Sequence, residues 1–157
     1  MKDKMTIIFF SGTLDKAMAA LILATTAASM GMDVSIFFTF WGLNFLKKKR
    51  SYKKKVFMQK MLEFMSAKDK NSLPLSQKNM FGAGAWMMKK LMKNKKVASI
   101  EELFLLAKQF KVKFYACSTS CSVMGIEKEN MIDEVTDIVG AATFLSEARD
   151  AKINLFI

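Results

Sequence analysis

Apolar positions in this chain fall into short runs of strand length, separated by longer stretches of helical composition. Met5 to Phe10, MTIIFF, is a continuous apolar run of the kind found in a strand buried on both faces, and Ser11-Gly12-Thr13 breaks it. Leu14 to Met30 is rich in Ala, Leu and Met, with Gly31 where a helix C-cap belongs, so a helix is predicted there. Asp33 to Phe40, DVSIFFTF, is the second predicted strand. A helix between two such strands makes Met5 to Phe40 a βαβ unit, which implies a parallel pair with a right-handed crossover and commits the chain to the α/β class.

The same alternation returns near the C-terminal half. Ser99 is a good N-cap and Glu102 completes a capping-box pattern, so a helix is predicted to about Phe110. Val112 to Ala116 is the third predicted strand. Met131 to Val139, MIDEVTDIV, fits either a short strand or a loop; Gly140 to Ala151 reads as a helix and Ile153 to Ile157 as a closing strand. The order is βαβ, insertion, αβαβαβ. That pattern predicts a single domain over 1–157, a mostly parallel five-stranded sheet with helices on both faces in a Rossmann- or flavodoxin-like three-layer arrangement. A chain of 157 residues is long enough for one such core.

The insertion, 41–96, changes the picture because of its charge. Of the 25 lysines and arginines, 16 lie between Trp41 and Lys96, against only two acids, Glu63 and Asp69. Within it, Val56 to Met65 has apolar residues at 57, 58, 61, 64 and 65, the spacing of an amphipathic helix. Ser66 to Lys78, with the single proline Pro74, reads as a loop. Met80 to Met92 is apolar and Met-rich without a clean period, and is expected to be mobile or to pack against another surface. Three readings fit this basic, Met-rich segment: a solvated face, an anionic membrane surface, or a docking site for an acidic carrier protein or nucleic acid. The expectation is a cover over the reactive site that docks an acidic partner or a membrane; nucleic acid is not the expected partner.

Composition excludes much. There is no histidine, which removes Ser-His and Cys-His nucleophile pairs and His-ligated metal sites. Two cysteines cannot complete a tetrahedral zinc shell in one chain and are too few for a secreted disulfide framework, so no metal and reduced, cytoplasmic thiols are expected. The opening MKDKMTIIFF stops being apolar at Ser11-Gly12, and Ala17 to Met30 is shorter than the about 20 residues a span requires. Neither an export signal nor a transmembrane helix is expected, and localisation is read as cytoplasmic with membrane association left open. No GxGxxG or GxxxxGK[ST] motif occurs, and no cofactor is expected.

Both cysteines lie in Lys111 to Ile126, KVKFYACSTSCSVMGI. The strand pattern ends at Ala116 and helical composition begins beyond it, so Cys117 falls at a strand-to-helix junction, followed by the hydroxyls and backbone donors of Ser118, Thr119 and Ser120 that can stabilise a thiolate. Two readings stand for Cys117: a small buried hydrophobe, or a working sulfur atom. Cys121 is four residues on, on the same face if both are helical, and is either an inert helix residue or a resolving thiol. Ser11 and Gly12 follow the first strand, whose neighbour across the topological switch is expected to be the cysteine strand. Phe38, Phe40 and Trp41 either line the cysteine pocket or pack in the core.

Phe37-Phe38-Thr39-Phe40-Trp41-Gly42-Leu43, Ala116-Cys117 and Met124-Gly125-Ile126, together with Ser11-Gly12, Gly140-Ala141-Ala142 and the terminal Leu155-Phe156-Ile157, make the chain similar to the DsrE/DsrF-like proteins, in the branch often labelled DsrE-like or peroxiredoxin-like. The resemblance implies a five-stranded parallel α/β fold and a sulfur relay protein whose single cysteine, here Cys117, carries a persulfide or thiosulfonate. It implies sulfurtransferase-like exchange with TusA-like or rhodanese-like carriers, and a homo-oligomer. Cys121 departs from the family pattern, which often has an apolar residue there. The site expected around Cys117 comprises Ser11, Gly12, Phe40, Trp41, Ser118, Met124 and Gly125. The alternative is a non-catalytic α/β module that attaches to a membrane or a protein assembly through 41–96.

Overall fold

Strands form where the apolar runs predict them. The computed structural model describes residues 2–157 and contains β1 (Lys4–Phe9), β2 (Asp33–Phe38), β3 (Lys113–Cys117), β4 (Asp137–Val139) and β5 (Ile153–Phe156). All four pairings are parallel, in the order β4-β3-β2-β1-β5. The helices are α1 (Leu14–Ser29), α2 (Phe57–Met65), α3 (Ala83–Asn94), α4 (Ile100–Gln109), α5 (Ser118–Met124) and α6 (Ala141–Arg149). Met131 to Val139 resolves into an isolated bridge from Met131 to Lys47, a turn at Asp133 and Glu134, and the short β4. This is the expected α/β fold, with one correction: β1 neighbours β2 and β5, and the cysteine strand β3 lies between β2 and β4.

Alternation along the strands divides the apolar residues between two faces. Met5, Ile7 and Phe9 of β1, Val34, Ile36 and Phe38 of β2, and Phe114 and Ala116 of β3 enter the main core under α1 and α4. Ala17, Ala20, Ala24 and Ala27 let α1 approach closely, and Phe38 stacks on Phe45 with ring centroids 5.4 Å apart. The opposite face carries a smaller cluster of Phe37, Cys117, Val139 and Phe144, with Ile8, Tyr115 and Ala148 at its margin. Phe144 belongs to α6, so α6 covers the second face.

That division locates the switch point. The chain steps from β1 through β2 and β3 to β4 and then returns to the far side of β1. Cys121 and Met124 put α5 on the main-core face, whereas α6 lies on the other. The connections leaving β3 and β4 therefore diverge to opposite faces, and the carboxyl ends of these two neighbours are where an open α/β sheet forms a crevice. Cys117 and Val139 are register partners at that edge.

The insertion starts with a 3-10 turn over Phe40–Leu46 rather than with open chain. Gly42 allows it, since a Cβ there would meet the Phe9 carbonyl oxygen at 2.0 Å. The Ser66 to Lys78 loop fastens to the start of α1: Leu14 N–H donates to the Pro74 carbonyl at 2.8 Å, and Ser76 N–H donates to Asp15 at 2.9 Å. Ser99 and Glu102 form the capping box read from the sequence, with Glu102 N–H donating to Ser99 Oγ at 3.2 Å. Among the described residues, no helix is long and apolar enough to cross a membrane.

Candidate functional site

Cys117 is the last residue of β3 and the N-cap of α5. The alternation that sends Ala116 into the main core sends Cys117 toward α6, where it packs with Phe37, Val139 and Phe144. Phe37 and Phe144 stack with centroids 4.7 Å apart beside it, and Cys117 is only 7% exposed. The sulfur is thus sheltered at the sheet edge.

Its polar surroundings come from two elements. Thr39 follows β2 on the same face as Phe37, and its Oγ1 lies 2.8 Å from the Oγ of Ser120 in the first turn of α5. Two hydroxyls hold two hydrogens, and a single bond between them uses one, so the other remains for the sulfur. Burial pushes the Cys117 thiol up, but the Ser120 and Thr119 N–H groups and the one hydroxyl hydrogen that the Thr39–Ser120 pair has to spare outweigh burial and leave the thiol below its ordinary value. Hydrogen bonds offered to the anion favour the anion, and the nucleophile among sulfur species is the thiolate.

Cys121 has the opposite character. It lies in α5 and joins the main core, whereas Cys117 precedes the helix and joins the smaller cluster, so the two do not share one helical face. Burial, with a smaller contribution from Cys117, pushes the Cys121 thiol up to about 12. Both cysteines are free.

The other residues singled out in the sequence separate into three places. Ser118 stays with Cys117, its Oγ lying 3.9 Å from where a Cβ on Gly140 would be. Ser11, Gly12, Phe40 and Trp41 gather over the end of β1: Ser11 accepts from Lys16 at 3.0 Å, a Cβ on Gly12 would meet the Trp41 carbonyl oxygen at 2.2 Å, and Phe40 packs on Phe10 at 5.5 Å. Met124 is buried in the main core, and Gly125 ends α5 with a positive φ of 63° against Gln59. Thr39 joins this site although the site expected from the sequence did not include it. Its signal was there, a hydroxyl closing the apolar run of β2 and two positions beyond Phe37. Among the described residues, no three Cys, Asp or Glu side chains converge as metal ligands.

The geometry offers one sheltered thiol with a depressed pKa at the switch point of a parallel sheet, and comparison with known proteins places it in a family. The chain is 39% identical over 158 residues to sulfur carrier protein DsrE2 of Allochromatium vinosum, covering 99% of each. It is 38% identical over 153 residues to the uncharacterized protein YrkE of Bacillus subtilis, covering 97% of this chain and 95% of that one. The crystal structure of the YchN protein of E. coli has the same fold, at a TM-score of 0.57 and 14% identity with both chains fully covered. A family model matches residues 1–156, and the chain belongs to the DsrE/DsrF/DrsH-like family.

Proposed function

We propose that this protein is a sulfur relay component that carries sulfane sulfur on Cys117 and passes it to the thiol of a carrier protein of the TusA-like or rhodanese-like kind. The observation that carries the reading is the pairing of Thr39 and Ser120 beside Cys117, which favours a thiolate in a chain without histidine. Membership of the family and the name of the Allochromatium relative support the same reading.

The chemistry needs no base once the thiolate exists. Cys117 Sγ⁻ attacks the terminal sulfur of a donor R–S–SH; the donor S–S bond breaks, its electron pair leaves with R–S⁻, and a Cys117–S–SH bond forms. An acceptor thiolate then attacks the terminal sulfur and regenerates Cys117 Sγ⁻. With tetrathionate the thiolate attacks an inner sulfur, the central S–S bond breaks, thiosulfate leaves with its electron pair, and a Cys117–S–S–SO3⁻ thiosulfonate forms. The persulfide exchange involves no net oxidation, and in the tetrathionate reaction the polythionate itself is the oxidant. Phe37 and Phe144 keep water from the loaded sulfur, and the hydroxyl pair offers it a donor. The protein acts as a homo-oligomer in this reading, since Leu145 and Phe156 leave apolar surface open on the α6 face.

Intact-mass measurement after incubation with a persulfide or tetrathionate donor tests the assignment. Wild type gains sulfur and Cys117→Ser does not, whereas equal loading of the two overturns it.

A further inference from the structure

Helix α2 is turned inside out relative to an ordinary surface helix. At about 100° per residue, Phe57, Met58, Met61, Phe64 and Met65 form one stripe and Gln59 and Glu63 lie opposite it. The apolar stripe faces solvent: Phe57 is 79% and Phe64 69% exposed, and the three methionines are exposed as well. The polar side faces the body of the protein. Glu63, 3% exposed, receives Lys47 Nζ at 3.1 Å on one carboxylate oxygen and Lys55 Nζ at 3.0 Å on the other. Gln59 Nε2 donates to the Ser122 and Val123 carbonyls at 3.3 and 3.1 Å, at the end of the helix that Cys117 begins.

α3 repeats the arrangement. Its small residues Gly84 and Ala85 are buried, while Trp86, Met87, Met88 and Leu91 are exposed. The two helices meet at a cavity of about 480 Å³ lined by Met65, Phe81 and Trp86 together with Arg50, Lys68 and Lys89. Apolar surface on this scale, rimmed by charge, marks an interaction site.

Charge selects the occupant. The segment holds 16 lysines and arginines, and of its two acids Glu63 is buried and shared by two lysines. A second copy would bring the same positive face to this one. An anionic bilayer supplies both things the surface lacks, negative headgroups for the lysines and an acyl boundary for the Phe, Met and Trp side chains. With no described helix able to cross a membrane, the contact is with the surface. We propose that α2 and α3 seat this protein on an anionic lipid surface, with the apolar stripe in the interface and the lysines among the headgroups, and that the inward Glu63 and Gln59 hold the stripe outward for that purpose.

Vesicle sedimentation tests the proposal. The full chain pellets with phosphatidylcholine vesicles containing phosphatidylglycerol, less so as salt rises, and in a Trp41→Phe background the Trp86 emission shifts to the blue. Phe57→Ser/Phe64→Ser, changes at exposed positions, keeps the wild-type circular dichroism and binds at least tenfold more weakly. Equal binding of that double variant, equal binding to pure phosphatidylcholine, or protein left in the supernatant overturns the proposal. Supernatant protein that self-associates until the double variant separates it names a second copy as the occupant instead.

Discussion

The hydroxyl oxygens of Thr39 and Ser120 lie 2.8 Å apart, and this contact ties the end of β2 to the first turn of the helix that Cys117 begins. Burial at the sheet edge disfavours a charged sulfur, and it is this hydroxyl pair together with the Ser120 and Thr119 N–H groups that reverses the sign. The surroundings of the Cys117 sulfur are therefore set by a residue 78 positions away as well as by the cysteine's own turn.

Removing the donors raises the thiol pKa. A hydrogen bond to a charged group contributes about 1.5–3 kcal/mol, and about 1.4 kcal/mol corresponds to one pKa unit. Ser120→Ala is expected to raise the Cys117 pKa and to slow its alkylation at neutral pH by up to about tenfold. Thr39→Val moves it the same way. The pH profile of iodoacetamide labelling at Cys117 reads this directly, and a midpoint identical to wild type would remove the hydroxyl pair from the account.

Access and acidity are separable, because different residues control them. Phe144 packs over Cys117 and stacks on Phe37, so Phe144→Ala opens the sulfur while leaving Thr39 and Ser120 in place. The variant is expected to lose about 3–5 kcal/mol of stability, as large core truncations do. In denaturant-free buffer its Cys117 labels faster than wild type at every pH, with the midpoint of the profile little changed. Faster labelling accompanied by a shifted midpoint would mean that Phe144 also sets the electrostatics.

Cys121 is expected to be silent. With its thiol pushed up to about 12 and its side chain in the main core, almost none is ionised at neutral pH. Native protein therefore titrates one reactive thiol per chain and unfolded protein two. A thiol count of two in the native state, or a disulfide formed reversibly on mild oxidation, would restore Cys121 as a resolving partner.

Local order was legible in the sequence and long-range pairing was not. Period-two alternation placed Cys117 at the end of its strand, and the Ser99–Glu102 capping box marked the start of α4 to the residue. Which strand lies beside β3 depends on pairings that no local pattern encodes, so the expectation that β1 adjoined the cysteine strand failed. The Thr39 hydroxyl is visible at the end of β2, but its pairing with Ser120 follows from β2 lying beside β3, a long-range pairing of the same kind. Lys47 and Lys55 were hidden differently. Inside KKKR and KKK runs they look solvated, yet both side chains are 2% exposed because a single carboxylate, Glu63, compensates them.

Glu63 therefore controls both stability and the presentation of α2. Burial alone would raise its carboxyl pKa, but the bonds and charges of Lys55 and Lys47 outweigh it and hold the group below its usual value. Burial lowers the Lys47 pKa, Glu63 opposes that, and the charges of Lys55 and Arg50 add to the lowering. Glu63→Gln leaves two buried ammonium groups without a counter-ion and is expected to cost about 3–5 kcal/mol by urea denaturation at neutral pH. Replacing all three residues with methionine removes the buried charge altogether and recovers most of that loss. The pH dependence has a definite sign. A carboxyl group whose folded pKa is depressed contributes fully above its unfolded value, near 4.3 for Glu, and loses that contribution as pH falls through the lower folded value. The gap between wild type and Glu63→Gln is thus expected to be constant near neutrality and to close in acid, and a gap independent of pH would show that the ion pairs do not hold α2.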